Sequence, residues 1–312
     1  MTASVKSGKQ TAIDKLANGL FRNDGDVYDP ETKYRFLLIG AFHLQKAADL
    51  RTRGDSKTER LMNIAHLNPI LDGVYWDFHI GPFAQYGDWP VENREEFTLV
   101  AADRLAIVRT ACQTGRYNAI VLLGGGEPGA FEAREIAREY GIPVVSCGFS
   151  QMHIATMLGN KFSVLDVAEQ HNMYYYSLIK RHRLADRCAS VLNINLPHWR
   201  PGAPDPEMHL TAERERYYET NHSDVIEIAV QAAVEAIETD GAEVITMGCS
   251  GAFWMKWPME ERLKELGWEV PVLEGYSSAL ALAKMMVDLK IDASGLTFPS
   301  AHPKKIRTKK II

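Results

Sequence analysis

Along this chain, short aliphatic runs alternate with longer segments in which apolar residues recur at helical spacing. The runs fall at 36–39 (FLLI), 119–123 (AIVLL), 143–145 (PVV), 162–165 (FSVL), 191–194 (VLNI), 244–247 (VITM) and 270–273 (VPVL), and each predicts a strand. Helices are predicted over 95–115, 129–140, 172–185, 223–239, 259–266 and 277–290. Strands so nearly apolar throughout must be covered on both faces. The pattern therefore predicts an α/β fold, with parallel sheet, helices against it and right-handed crossovers.

Three stretches fall outside this alternation. Residues 1–33, with Asn23-Asp24-Gly25-Asp26, read as a polar arm that is mobile or wraps a neighbouring subunit. The Pro-rich LPHWRPGAPDPEMH at 196–209 reads as a surface connection and a candidate lid. GVYWDFHIGPFAQYGDWP at 73–90 gathers Tyr75, Trp76, Phe78 and Phe83, which serve either lobe packing or an apolar pocket. Within it, Asp77 and His79 would share one side of a strand. Two ligands without a third make no metal site, however, and a solvated turn is the plainer reading.

Composition narrows the function classes more than the fold. A 312-residue chain that is 46% hydrophobic and 24% charged describes one or two globular domains with a sizeable core. A net charge of −5 gives no basic field for nucleic acid, and KKIRTKK at 304–310 reads as solvated end sequence. No apolar run reaches the roughly 18 residues of a membrane span, and MTASVKSGKQ lacks the apolar region of a secretory signal. The expectation is a cytoplasmic protein without nucleic-acid or membrane partners. Four cysteines lacking CxxC or Cys/His ligand spacing fit reduced thiols rather than disulfides or a zinc site.

Two segments share one grammar. YNAIVLLGGGEPG (117–129) and GAEVITMGCSGAF (241–253) each run from a helix end through an aliphatic strand to a glycine corner and on into a helix. Open α/β sheets place ligands at the carboxyl ends of parallel strands, so two facing halves would bring both corners to one cleft. At the first corner, Gly124, Gly125 and Gly126 let a ligand approach main-chain amides, and Pro128 suits the first position of the next helix. Neither GxGxxG nor GxxxxGK[ST] spacing is present, which argues against a nucleotide; a plain tight turn is the alternative. At the second corner, Gly248, Cys249, Ser250 and Gly251 put a thiol at a helix start, where the local dipole favours thiolate. The alternative there is a small buried apolar residue.

Four segments carry a family resemblance: GRYNAIVLLGGGEPGAFEAREIAREYGIPVVS (115–146), HIATMLGNKFSVLD (153–166), DGAEVITMGCSGAF (240–253) and the terminal GLTFPSAHPKK (295–305). In this order, over about 34–308, the chain resembles the aspartate/glutamate/hydantoin racemase superfamily and, within it, the hydantoin racemase branch. The resemblance implies two Rossmann-like parallel-sheet lobes related by a pseudo-twofold axis. One comprises 34–145 plus 277–312 and the other 146–276, with the active site between them. It also implies a small-molecule substrate, no cofactor, no metal and a homo-oligomer. Family members use one cysteine per lobe, one removing the proton next to a carbonyl and the other returning it to the opposite face. The second-lobe cysteine falls on Cys249. Its first-lobe counterpart falls within 124–126, where every residue is glycine, so the acid/base pair is incomplete. The family's Asn-Pro-Asn-Thr-like loop after the first strand is also replaced, by GAFHLQ at 40–45.

Three chemistries fit the missing thiol. His43, His79 or Cys147 could supply a substitute base. A single protonation could suffice, as the resemblance to the arylmalonate decarboxylase branch implies, with the amides of Gly125, Gly126 and Ser250 holding an oxyanion. Cys249 could instead add as a nucleophile to an activated double bond or amidine carbon. A binding protein that kept the cleft would have no need of the thiol. The expectation is an enzyme acting on a small carboxylate or cyclic ureide with Cys249 as acid/base. His43 and Cys147 are the candidate second groups, and Gly124, Gly125, Gly126, Gly248, Ser250, Gly251 and His79 line the substrate.

Overall fold

The structure, a computed structural model, describes residues 2–22, 26–44, 56–196, 198, 200–202, 204, 208–299, 303–305 and 307–308. In the first half, a short strand β1 (Leu20–Phe21) lies antiparallel to one edge of four parallel strands. These are β2 (Tyr34–Ile39), β3 (Val74–His79), β4 (Ala119–Leu122) and β5 (Val144–Ser146), in the order β3-β2-β4-β5. The second half repeats the order with β6 (Phe162–Asp166), β7 (Cys188–Asn193), β8 (Val244–Met247) and β9 (Val272–Leu273) as β7-β6-β8-β9, all parallel. In each sheet the first strand is flanked by the second on one side and the third on the other. Successive crossovers therefore leave it in opposite directions and open a crevice, between β2 and β4 in one lobe and between β6 and β8 in the other. The two Rossmann-like parallel-sheet lobes are this pair of sheets.

The strands form where the aliphatic runs predict them, because β4, β6 and β8 are buried along their whole lengths. On the first lobe lie α1 (Thr2–Ala17), α2 (Lys57–Arg60), α3 (Ile64–Leu71), α4 (Arg94–Thr114) and α5 (Ala130–Arg138). The second half contributes α6 (Cys147–Leu158), α7 (Glu169–Arg181), α8 (Leu210–Thr220), α9 (Asp224–Glu238) and α10 (Lys256–Glu265). The last helix, α11 (Gly275–Asp288), returns to pack on α6, β4 and β5. Helix α4 starts at a capping box, Asn93 with Glu96, and ends at Gly115 in the left-handed region. One apolar core runs through both lobes, joining Phe36, Val121 and Val145 to Leu165, Ile245 and Phe253.

Several expectations are corrected. The N-terminal stretch is no separate arm over its described part: α1 packs on α4, Leu16 is buried in the core, and β1 pairs with β3. Residues 23–25 of that expectation lie outside the described residues. Asp77 and His79 are not a solvated turn but the buried end of β3. Pro128 does not open α5, which starts at Ala130 behind Gly129. Helix α6, unpredicted, carries no polar face to reveal its period, since Ser150 and Gln151 are as buried as Met152.

Candidate active site

Both crevices open on one cavity of about 820 Å³, counting its mouth. From the first lobe come the loop after β2 (Ala41, Phe42, His43), the corner Gly124–Gly126 after β4, Val91 just before α4 and Phe97 in its first turn. From the second come His171 and Tyr175 of α7, His198 of the connection after β7, Leu210, and the corner Cys249, Ser250 and Gly251 after β8. Among the described lining residues there is no Lys, Arg, Asp or Glu.

The two corners touch each other. A Cβ on Gly125 would stand 1.6 Å from the Gly248 carbonyl oxygen and 2.4 Å from the Tyr175 hydroxyl. One on Gly126 would stand 2.5 Å from Cε1 of Phe97, whose ring stacks on Tyr174 at 4.0 Å. Gly124 has φ of +100°, and a Cβ there would meet that of Ala41 at 2.7 Å. The missing thiol is thus more than a point replacement, because the space of each candidate position is already filled. Beneath this corner, the fully buried Arg104 of α4 donates to the carbonyls of Ile39 (2.7 Å), Leu123 (2.8 Å) and Pro128 (3.3 Å), fixing the ends of β2 and β4.

Around Cys249 the supports are specific. Its amide donates to Oδ1 of Asp166 (3.0 Å), at the end of the neighbouring strand β6. The Gly251 amide donates to its sulfur (3.4 Å), and Nε2 of His198 stands 3.7 Å from the same atom. The chain continues from Cys249 as a 3₁₀ turn, Ser250–Met255, that leads into α10, rather than starting an α-helix at the thiol as expected, so the Gly251 amide and the His198 imidazole face the sulfur in place of a helix terminus. Gln151 clamps the end of β8, donating to the Met247 carbonyl (2.6 Å) and accepting from its amide (3.0 Å). The Tyr175 hydroxyl donates to the Gly248 carbonyl (2.5 Å), and burial, then the nearby acidic groups, push that phenol well above its usual range. His171 donates from Nε2 to the Val91 carbonyl (3.0 Å), while Nδ1 faces Asp166 at 3.5 Å. Burial pulls this imidazole's pKa down, but Asp166 and Val91 outweigh it and hold the pKa above the usual value.

Of the residues singled out in the sequence, the cavity brings together Cys249, Ser250, Gly251, Gly124, Gly125, Gly126 and His43. Gly248 lies beneath it, at the contact between the corners. Two do not line it. Cys147 is wholly buried under β4, its thiol donating to the Leu122 carbonyl (3.5 Å), and burial drives its pKa well up. His79 is buried below Gly19, accepts from the Gly81 amide (3.1 Å), and is pushed down to about 4 by burial, then by His43 and Arg104. Sequence reasoning missed His171, Tyr175, His198, Asp166 and Arg104. The two at i and i+4 on α7 carried a readable spacing, whereas His198 sits in an irregular connection that has none.

Fold and site together define a two-lobed α/β protein whose cleft holds a thiol opposite a glycine corner. The Asp/Glu/Hydantoin racemase family model matches residues 91–283, and the chain belongs to that family. It is 31% identical over 172 residues to the hydantoin racemase of Pseudomonas sp. (strain NS671), a match spanning 55% of this chain and 59% of that protein's length. Allantoin racemase from Klebsiella pneumoniae shares the fold with a TM-score of 0.62 at 18% identity, over 88% of this chain and 97% of that one. Allantoin racemase from Pseudomonas fluorescens does so with a TM-score of 0.61 at 22% identity, over 88% and 99%. Among the described residues no helix is long and apolar enough to cross a membrane.

Proposed function

We propose that the cleft performs racemase-type proton transfer, without a cofactor, at a carbon next to a carbonyl, with Cys249 as the acid/base of the second lobe. The observation that carries this reading is the thiol, set between the Gly251 amide and the His198 imidazole, at the contact of two switch-point corners. In the forward direction the Cys249 thiolate takes the C–H proton and becomes a thiol, and the electron pair moves onto the carbonyl oxygen as an enolate. His198 takes up and returns the thiol's proton between turnovers. On the first-lobe face His43 is the candidate second group: its Nδ1 donates to the Gly81 carbonyl (3.3 Å), which leaves Nε2 for the substrate, and as imidazolium it gives its Nε2 proton to the opposite face of the enolate carbon, the roles reversing in the other direction.

The lining supports an uncharged substrate. A free carboxylate entering a pocket without a lysine or arginine in its described wall would lose its hydration with no cation to replace it. A cyclic ureide, the class to which hydantoin and allantoin belong, needs hydrogen bonds rather than an ion pair. Phe42, Val91, Phe97 and Leu210 suit an apolar substituent on its ring.

The packing of Phe97 against Gly126 favours a second reading, in which a single thiol protonates one face after loss of CO₂. Chiral chromatography of both enantiomers of 5-substituted hydantoins and of allantoin, run beside arylmalonates, separates the two. The proposal expects interconversion of a ureide's enantiomers, abolished by Cys249→Ala and lowered at least about 100-fold by His43→Ala. Turnover of arylmalonate alone, with His43→Ala unaffected, would replace it with the second reading.

A further inference from the structure

We propose that Arg200 is a positioning residue for the thiol. Through its ion pairs with Glu92 and Glu96 on the first lobe it holds His198 beside Cys249, so that the thiol has its proton partner only while the lobes are docked. The inference rests on the assignment of Cys249 and His198 as the reacting thiol and its proton partner.

The connection that leaves β7 belongs to the second lobe, yet Arg200 reaches across the cleft. Its Nη1 donates to Oε2 of Glu92 (3.1 Å) and to Oε2 of Glu96 (3.1 Å), and its Nη2 donates to Oε1 of Glu96. Both carboxylates are nearly inaccessible, at 3% and 4% exposure, so two like charges lie side by side in a place where water cannot screen them. The Arg200 fork answers both. Glu96 has partners besides Arg200. It already accepts from the Trp89 indole (2.9 Å) and from the amides of Glu92 (2.9 Å) and Asn93 (3.2 Å), which builds the start of α4 within the first lobe. Burial pushes the Glu96 carboxyl up, but Arg200, Trp89 and those amides bring it down to about 2, so the Arg200–Glu96 ion pair is charged across the working range. Arg200 lies two residues from His198, a span of at most about 7 Å of extended chain. An arginine anchored at one end therefore restricts where the imidazole can stand at the other.

The test is the ionisation of Cys249, followed by ultraviolet thiolate absorbance against a Cys249→Ala reference and by the rate of iodoacetamide alkylation, neither of which requires a known substrate. The other thiols stay out of the way, since burial raises Cys112 to about 12, Cys188 to about 11 and Cys147 well above its usual value. The charged or titratable groups facing the Cys249 corner are Asp166, His171, Tyr175, His198 and, across the cleft, His43. Arg200→Ala changes none of these side chains and, on the proposal, releases only His198 from its place. Its expected effect is to raise the midpoint by about one pH unit, as His198→Gln does, with no further rise in the double variant. Arg200→Lys, which keeps the charge and loses the fork, recovers part of the shift. It also stands in if the alanine variant does not give a native melting curve. If the midpoint is unchanged in Arg200→Ala and Arg200→Lys but raised in His198→Gln, the latch is overturned and the thiol–imidazole pair stands. No movement in His198→Gln overturns the pair itself, and the latch with it.

Discussion

At the scale of single residues, the glycine corner decides what chemistry the cleft can hold. Gly125 is glycine because the Gly248 carbonyl of the other lobe occupies the position of its side chain. Gly125→Ala therefore sets a carbon against backbone that cannot move without separating the corners. We expect a loss of about 3 kcal/mol in urea unfolding and loss of activity together. Gly8→Ala is the matching control: nothing lies within 4 Å of its added carbon in α1, so stability should rise by about 0.5–1 kcal/mol. Equal effects of the two would rule out lobe contact as the reason for this glycine. The corner itself was legible in the sequence, since a strand, three glycines and a helix have one common reading. That its glycines make contact between lobes was not, because the partner atom belongs to Gly248, more than a hundred residues away in the chain.

At the scale of elements, β3 is the strand that the sequence concealed. Asp77 and His79 read as a solvated turn, but Asp77 is wholly buried and accepts from the Arg22 guanidinium (3.1 Å) and from the hydroxyls of Tyr75 (2.9 Å) and Tyr117 (2.6 Å). Those partners come from three parts of the chain, so no local pattern announces them. The aliphatic strands needed no such partners, which is why they were readable. The same strand ends in His79, held neutral with a pKa of about 4 against about 6.5 when unfolded. Between those values the unfolded chain binds the extra proton, so this contribution is intact above about pH 6.5 and is lost as pH falls toward 4. His153, held down to about 4 by burial and then by His182 and Arg134, acts in the same direction, whereas the raised His171 opposes it. From His79 alone we expect a loss on the order of 2 kcal/mol by about pH 5, read from urea midpoints and absent in His79→Gln. An unchanged slope in that variant would contradict the assignment.

At the scale of the whole molecule, two sheets of one strand order meet so that both crevices form one cavity. The alternation of strand and helix and the paired glycine corners made the two halves visible. Their convergence was implied by family resemblance rather than by spacing. Burial, which no sequence pattern exposes, sorts the candidate second groups: it removes Cys147 and His79 from the cavity and leaves His43 in its wall. Movement of a proton at carbon by Cys249 is read directly by proton NMR of a 5-substituted cyclic ureide in D₂O. We predict deuterium at the ring carbon of recovered substrate with the native protein and none with Cys249→Ala. Deuterium entering equally fast in both would contradict the role of the thiol.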